Sequence, residues 1–197
     1  MLRVPDDFGE RVRAIYADDH LGVVGFPDFV DPEYLGLLVQ EAREAHYRVP
    51  QAGILSGVGV SSIEPDSHPH ATTFRDAYQK TVRESTGDLF TAAAMGIVTP
   101  VALNLNGLSY LRYPEGMGCT KHRDGPNYKN MVALFMLEGE NGVWVEGTEY
   151  GTGPGSLTVI RASRFPEERA QEDCQPIRWV EPVSQERRVL RMSEFTV

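Results

Sequence analysis

A chain of 197 residues with 41% hydrophobic and 24% charged side chains is long enough for one domain with a sizeable core and short for two. A formal net charge of −9 with no basic run to offset it argues against nucleic acid as a partner. No window approaches eighteen apolar residues and the first ten are too polar for a secretory leader, so a cytoplasmic protein without membrane partners, handling a small polar or anionic molecule, is the expectation.

In chain order, Leu21 to Phe26 is a short apolar run broken by glycines and predicts a strand. Asp31-Pro32 is a capping residue followed by proline at the first helical position. Leu35, Leu38, Val39 and Ala42 then recur at helical spacing, which predicts an amphipathic helix over 31–47. Gly53 to Ser62 reads as strand or loop. Thr72 or Thr73 can cap a second helix carrying Phe74, Ala77, Tyr78, Thr81 and Val82 on one stripe and stopping near Gly87. A third short helix is expected over Asp88 to Met95.

After residue 97 the pattern changes to short β-branched and aromatic runs separated by Gly, Pro and Asn. Strands are expected over Val101 to Leu105, Leu108 to Tyr113, Met131 to Leu137, Gly142 to Val145, Leu157 to Arg161, Ile177 to Val183 and Val189 to Phe195. Helices first and strands after imply an α+β, mainly β architecture. One domain over 1–197 is expected, a helix-rich part (1–96) backing a jelly roll (97–197).

Chemistry concentrates at His122-Arg123-Asp124. A histidine and an aspartate two apart on an extended segment point to the same side. They supply two thirds of the two-histidine, one-carboxylate face that holds ferrous iron. Cys119 and Cys174 lack metal-like spacing and read as buried or incidental thiols.

From Tyr110 onward the chain resembles the non-haem iron(II), 2-oxoglutarate-dependent dioxygenase superfamily, which folds as a double-stranded β-helix, a cupin-like jelly roll. The resemblance rests on Arg112-Tyr113-Pro114-Glu115-Gly116, on His122-x-Asp124, on the apolar strand Met131 to Leu137, and on the turn Pro154-Gly155 before Ser156-Leu157-Thr158. It implies an oxidoreductase that hydroxylates a small polar metabolite, with His122 and Asp124 as iron ligands. It also implies an arginine from the last strands clamping the far carboxylate of 2-oxoglutarate, as a guanidinium suits bidentate carboxylate binding. Arg187 and Arg188 are the favoured candidates, on opposite faces of a strand, with Arg191 as a third. Tyr110, Arg112 and Tyr113 are candidates to line the co-substrate, although aromatic residues on strands also serve packing.

The chain departs from the family at Pro176-Ile177-Arg178-Trp179-Val180-Glu181-Pro182-Val183, where Arg178 stands at the position of the family's last histidine. A guanidinium has no lone pair to give a metal. A third ligand would have to come from His68, His70, Glu172, Asp173 or Glu181. Alternatively iron is absent, Arg178 pairs with Asp124 and lowers its pKa, and His122 is left as an acid/base group. Such a site suits a cyclase, isomerase or lyase acting on an anion, or a binding module.

Overall fold

The structure, a computed structural model, describes residues 1–17, 20–87, 103–125, 128–162 and 175–195. The helix expected over Asp88 to Met95, and Glu172 and Asp173, lie outside these residues.

Three helices are described. α1 (Phe8–Ala14) buries Phe8 and Val12 and was not anticipated, because seven residues give too short a run for helical periodicity to show. It packs so closely on the end of α3 that a Cβ on Gly9 would lie 2.1 Å from the Ser85 carbonyl oxygen. α2 (Pro32–Glu44) begins where expected: the Asp31 carboxylate accepts from the Tyr34 N–H at 2.9 Å. It ends three residues before Tyr47, as Ala45 turns extended and the Tyr47 hydroxyl folds back to donate to the Ala42 carbonyl at 2.7 Å. α3 (Pro69–Thr86) starts earlier than Thr72 because its cap comes from another helix. The Glu41 carboxylate accepts from the backbone N–H groups of His70 at 2.9 Å and Ala71 at 3.0 Å.

Among the described residues there are ten strands: β1 (Val23–Phe26), β2 (Gly59–Ser62), β3 (Gly107–Tyr113), β4 (Cys119–His122), β5 (Tyr128–Glu138), β6 (Val143–Val145), β7 (Thr148–Tyr150), β8 (Leu157–Arg161), β9 (Arg178–Val180) and β10 (Arg187–Phe195). All pair antiparallel, in a six-stranded sheet of order β1-β8-β5-β10-β3-β2 and a four-stranded sheet of order β4-β9-β6-β7. From β3 on, the described chain alternates between the sheets, except that β6 and β7 form a hairpin within the smaller one. That winding makes a jelly roll, and the protein is α+β, mainly β.

Two apolar cores flank the larger sheet, and the period of two along β5 divides its residues between them. Met131, Ala133, Phe135 and Leu137 face the helices and meet Leu38, Phe74 and Tyr78. Phe74 and Phe135 have ring centroids 4.6 Å apart, and burying each phenylalanine stabilises the fold by roughly 1.5–3 kcal/mol. Val132, Leu134 and Met136 face the smaller sheet and meet Val143, Val145 and Val180. At its start β5 is irregular: Asn130 takes φ 42°, and its side-chain amide donates to the Glu194 carboxylate at 2.6 Å beside a register shift in β10.

The strand expected over Val101 to Leu105 is corrected for its described part. Leu103 and Leu105 are buried but belong to no sheet. Their backbone groups are taken by α3 instead: the Leu105 N–H donates to the Gln79 side chain at 2.8 Å, and Arg83 donates to the Leu103 carbonyl at 2.5 Å. Strand β4 was not anticipated, since Cys119-Thr120-Lys121-His122 has no apolar alternation.

Candidate active site

Strand β4 ends at His122, and Asp124 lies two residues beyond its end. β9 pairs antiparallel with β4, so that His122 lies directly opposite Arg178. The Arg178 guanidinium then reaches the Asp124 carboxylate in a direct ion pair, with only 7% and 5% of the two side chains exposed. Burial alone would lower the Arg178 pKa; the charge of Asp124, together with smaller contributions from Tyr128, Cys119 and Tyr113, outweighs it and keeps the guanidinium protonated.

The His122 ring is fixed in one tautomer. Its Nδ1–H donates to the Thr120 carbonyl at 2.7 Å, which leaves the lone pair of the neutral ring on Nε2. Burial lowers the His122 pKa and the Arg178 charge adds to that effect; the Thr120 carbonyl and Asp124 oppose it more weakly. The ring is therefore neutral at pH 7 and can accept a proton at Nε2.

These groups line a cavity of about 130 Å³ between the two sheets, together with Tyr113 of β3 and Arg191 of β10. Ile54 and Leu55, from the segment before β2, form part of its wall. Arg191 is held by hydroxyl groups: its Nε donates to Ser109 Oγ at 3.0 Å and its Nη1 to the Tyr128 hydroxyl at 3.3 Å. Among the described residues, three guanidinium groups (Arg123, Arg178, Arg191) and one carboxylate (Asp124) line the cavity, a local positive excess in a chain of net charge −9. The Nε–H of Arg178 is buried without a hydrogen-bond partner. A buried donor left unpaired costs about 1–3 kcal/mol, which a bound acceptor would recover.

The other sequence candidates divide by face. Tyr113 faces the cavity. Arg187, on the inward face of β10, is buried behind it, with Cζ 4.7 Å from the Tyr113 ring centroid, an orphaned Nε, and no ion pair among the described residues. Arg188 points to the helix side and joins Glu138 and, at 2.5 Å, Glu186. Arg112 is on the same side, paired with Glu186 at 2.7 Å. Tyr110 also faces the helices and donates to Glu41 at 2.6 Å. Sequence reading passed over Cys119, a buried thiol on the cavity wall whose pKa burial raises, and gave Arg191 only third rank; both share an inward face with recognised site residues.

A ferrous ion would need a third donor beside His122 and Asp124. His68 and His70 lie on the helix side, near Tyr110 and Tyr34. Glu181 is taken up by the indole N–H of Trp179 at 2.6 Å. Among the described residues no three His, Cys, Asp or Glu side chains converge in a way that could hold a metal ion. In the third position, directly opposite His122, stands a guanidinium already bound to Asp124. At ~5 Å and an effective dielectric of ~20, it would repel a dication by roughly 6–7 kcal/mol. The donor set among the described residues does not fit a ferrous ion.

No family model matches the chain, and no curated protein matches it. Solved structures do. A prolyl-4-hydroxylase from Pseudomonas putida superposes with a TM-score of 0.63 at 16% identity, over 94% of this chain and 99% of that one. A Trichoplax adhaerens prolyl hydroxylase, solved with a hypoxia inducible factor oxygen degradation domain peptide, gives 0.67 at 13% identity, over 95% and 90%. A 2OG-Fe(II) oxygenase family oxidoreductase from Burkholderia pseudomallei gives 0.65 at 16% identity, over 97% and 92%. The alternating strands and the helices on one sheet are thus the fold of the 2OG-Fe(II) oxygenases and prolyl hydroxylases.

Proposed function

We propose that the protein is a non-redox enzyme built on the oxygenase fold, which binds a small anionic molecule between the two sheets and moves a proton on it through His122. The observation that carries this reading is the buried Arg178–Asp124 ion pair directly opposite His122. Arg178, with Arg191 across the cavity, supplies the positive field for an anionic group. Asp124 keeps Arg178 in position, and Nε2 of His122 takes or returns the proton. A carbanion or enolate developing next to the ligand's carboxylate would be stabilised by the same guanidinium groups, which is the requirement of an isomerase, cyclase or lyase.

The test is deuterium exchange. Small carboxylic acids are incubated with the protein in D2O with EDTA, and loss of their C–H proton signals is followed by NMR. Exchange that disappears in His122→Gln supports the proposal. Binding in the parent protein without exchange would reduce it to a small-molecule binding module, and no binding of any carboxylate would end it.

The fold and the His122-x-Asp124 pair favour a second reading, an iron(II)/2-oxoglutarate oxygenase that hydroxylates a small polar metabolite. It requires a third ligand from outside the described residues, such as Glu172 or Asp173. Anaerobic addition of ferrous iron and 2-oxoglutarate would then give a weak visible charge-transfer band.

A further inference from the structure

We infer that the Arg178 guanidinium is the resident cation of this site, and that the chain retains a divalent-metal site from which one substitution, at position 178, has removed the metal. The inference rests on the metal-independent reading above but makes a separate claim, about what residues 122, 124 and 178 can hold.

Three observations carry it. The two donors remain assembled: His122 keeps the tautomer that presents Nε2, and Asp124 stays buried, with 5% of its side chain exposed. A buried carboxylate requires a positive partner, and Arg178 supplies it. Position 178 is in register with His122, so any side chain there starts from the same side of the β4–β9 ladder.

The exchange is also possible in size. An arginine side chain reaches roughly 2 Å further from its backbone than an imidazole does, and metal–ligand bonds to imidazole and carboxylate are about 2.0–2.2 Å long. Retracting the side chain from guanidinium to imidazole therefore opens a gap of one ion at the end of Asp124 and adds the missing donor. It also removes the positive charge that repels a dication. Arg123 and Arg191, the other arginines that line the cavity among the described residues, are held elsewhere, by the Gln175 carbonyl at 3.1 Å and by the Ser109 and Tyr128 hydroxyls.

The experiment titrates Mn2+ into the whole chain and follows its electron paramagnetic resonance signal, a readout independent of any turnover. The parent protein binds no Mn2+ at this site. Arg178→His binds one equivalent at least about 100-fold more tightly than the parent, and a second change, Asp124→Ala, removes that binding. Arg178→Ala is the companion variant: its vacated space is filled by Mn2+ or by ethylguanidinium, each raising the melting temperature and each displacing the other. Stoichiometric Mn2+ binding by the parent, abolished by Asp124→Ala, would overturn the inference. So would folded Arg178→His and Arg178→Ala proteins that bind no Mn2+. Should the parent fail to exchange any ligand proton while Arg178→His still gains metal, the functional proposal falls and this inference stands.

Discussion

Tyr110 donates its hydroxyl to Glu41 at 2.6 Å, on the side of the larger sheet away from the cavity. The same carboxylate accepts two backbone N–H groups of the first turn of α3, so one buried charge ties α2, α3 and β3 together. Burial and the neighbouring Glu41 charge both raise the Tyr110 pKa, and the phenol stays protonated as a donor. Tyr110→Phe should therefore lower stability by about 1.5–3 kcal/mol, the worth of a hydrogen bond to a charged group. It should leave binding of small carboxylates unchanged. Urea unfolding alongside ligand titration checks both; lost binding with intact stability would return Tyr110 to the cavity.

The Arg178–Asp124 pair gives a different signature. Removing one member of a buried ion pair leaves the other charge uncompensated, at about 3–5 kcal/mol, whereas replacing both by apolar groups is close to neutral. Asp124→Ala and Arg178→Met should each be strongly destabilising, and Asp124→Leu combined with Arg178→Met should recover most of the loss. Chemical unfolding of the three proteins measures the coupling. Single variants as stable as the parent would mean that the pair is solvated and contributes little.

Acid sensitivity should arise partly at Glu138. Burial raises its pKa, but hydrogen bonds from Arg43 and Arg188, reinforced by their charges, win and hold it below the ordinary carboxylate value. A group whose folded-state pKa is depressed adds stability above its unfolded pKa, and that stability is lost as the pH falls below about 4. Glu138→Gln should flatten the acid limb of the stability curve and leave its course above neutral pH unchanged. The contribution is modest, because the Arg43 side chain is 61% exposed and solvent screens the pair. Melting temperatures from pH 3 to 8 decide it.

How much of this was legible in the sequence depends on where the deciding partner sits. The unbroken apolar run Met131 to Leu137 announces a strand with two apolar faces, and β5 is that strand. The expectation that His122 and Asp124 share one extended segment holds only in part: β4 ends at His122, and Asp124 reaches the same cavity from beyond the strand. What spacing could not decide is which parity of β10 faces the cavity. Both faces are buried, one by Leu190 and Met192 against the helices and the other by Val189 against the smaller sheet. No polar–apolar alternation separates Arg187 and Arg191 from Arg188. The start of α3 was hidden for a related reason: its cap is Glu41, twenty-eight positions before Pro69, and local residue types carry no trace of it.

The two tryptophans report on the register that aims Arg178 inward. Trp144 and Trp179 are paired across β6 and β9, with ring centroids 5.9 Å apart and planes 18° from parallel. Lys121 of β4 lies over the Trp179 ring at 4.5 Å. Along β9 side chains alternate, so Trp179 on the outer face requires Arg178 and Val180 on the inner one, and a slip by one residue would reverse all three. The chain contains no other tryptophan, so the stacked pair should give a coupled near-ultraviolet circular dichroism signal that Trp144→Phe and Trp179→Phe each abolish. Lys121→Ala should shift Trp179 emission while changing stability by no more than about 1 kcal/mol, as expected for an exposed cation–π contact. A parent spectrum equal to the sum of the two single-tryptophan spectra would show that the rings do not stack. The register that sets Arg178 against Asp124 would then lose its support, since the same β6–β9 pairing holds Val145 opposite Arg178.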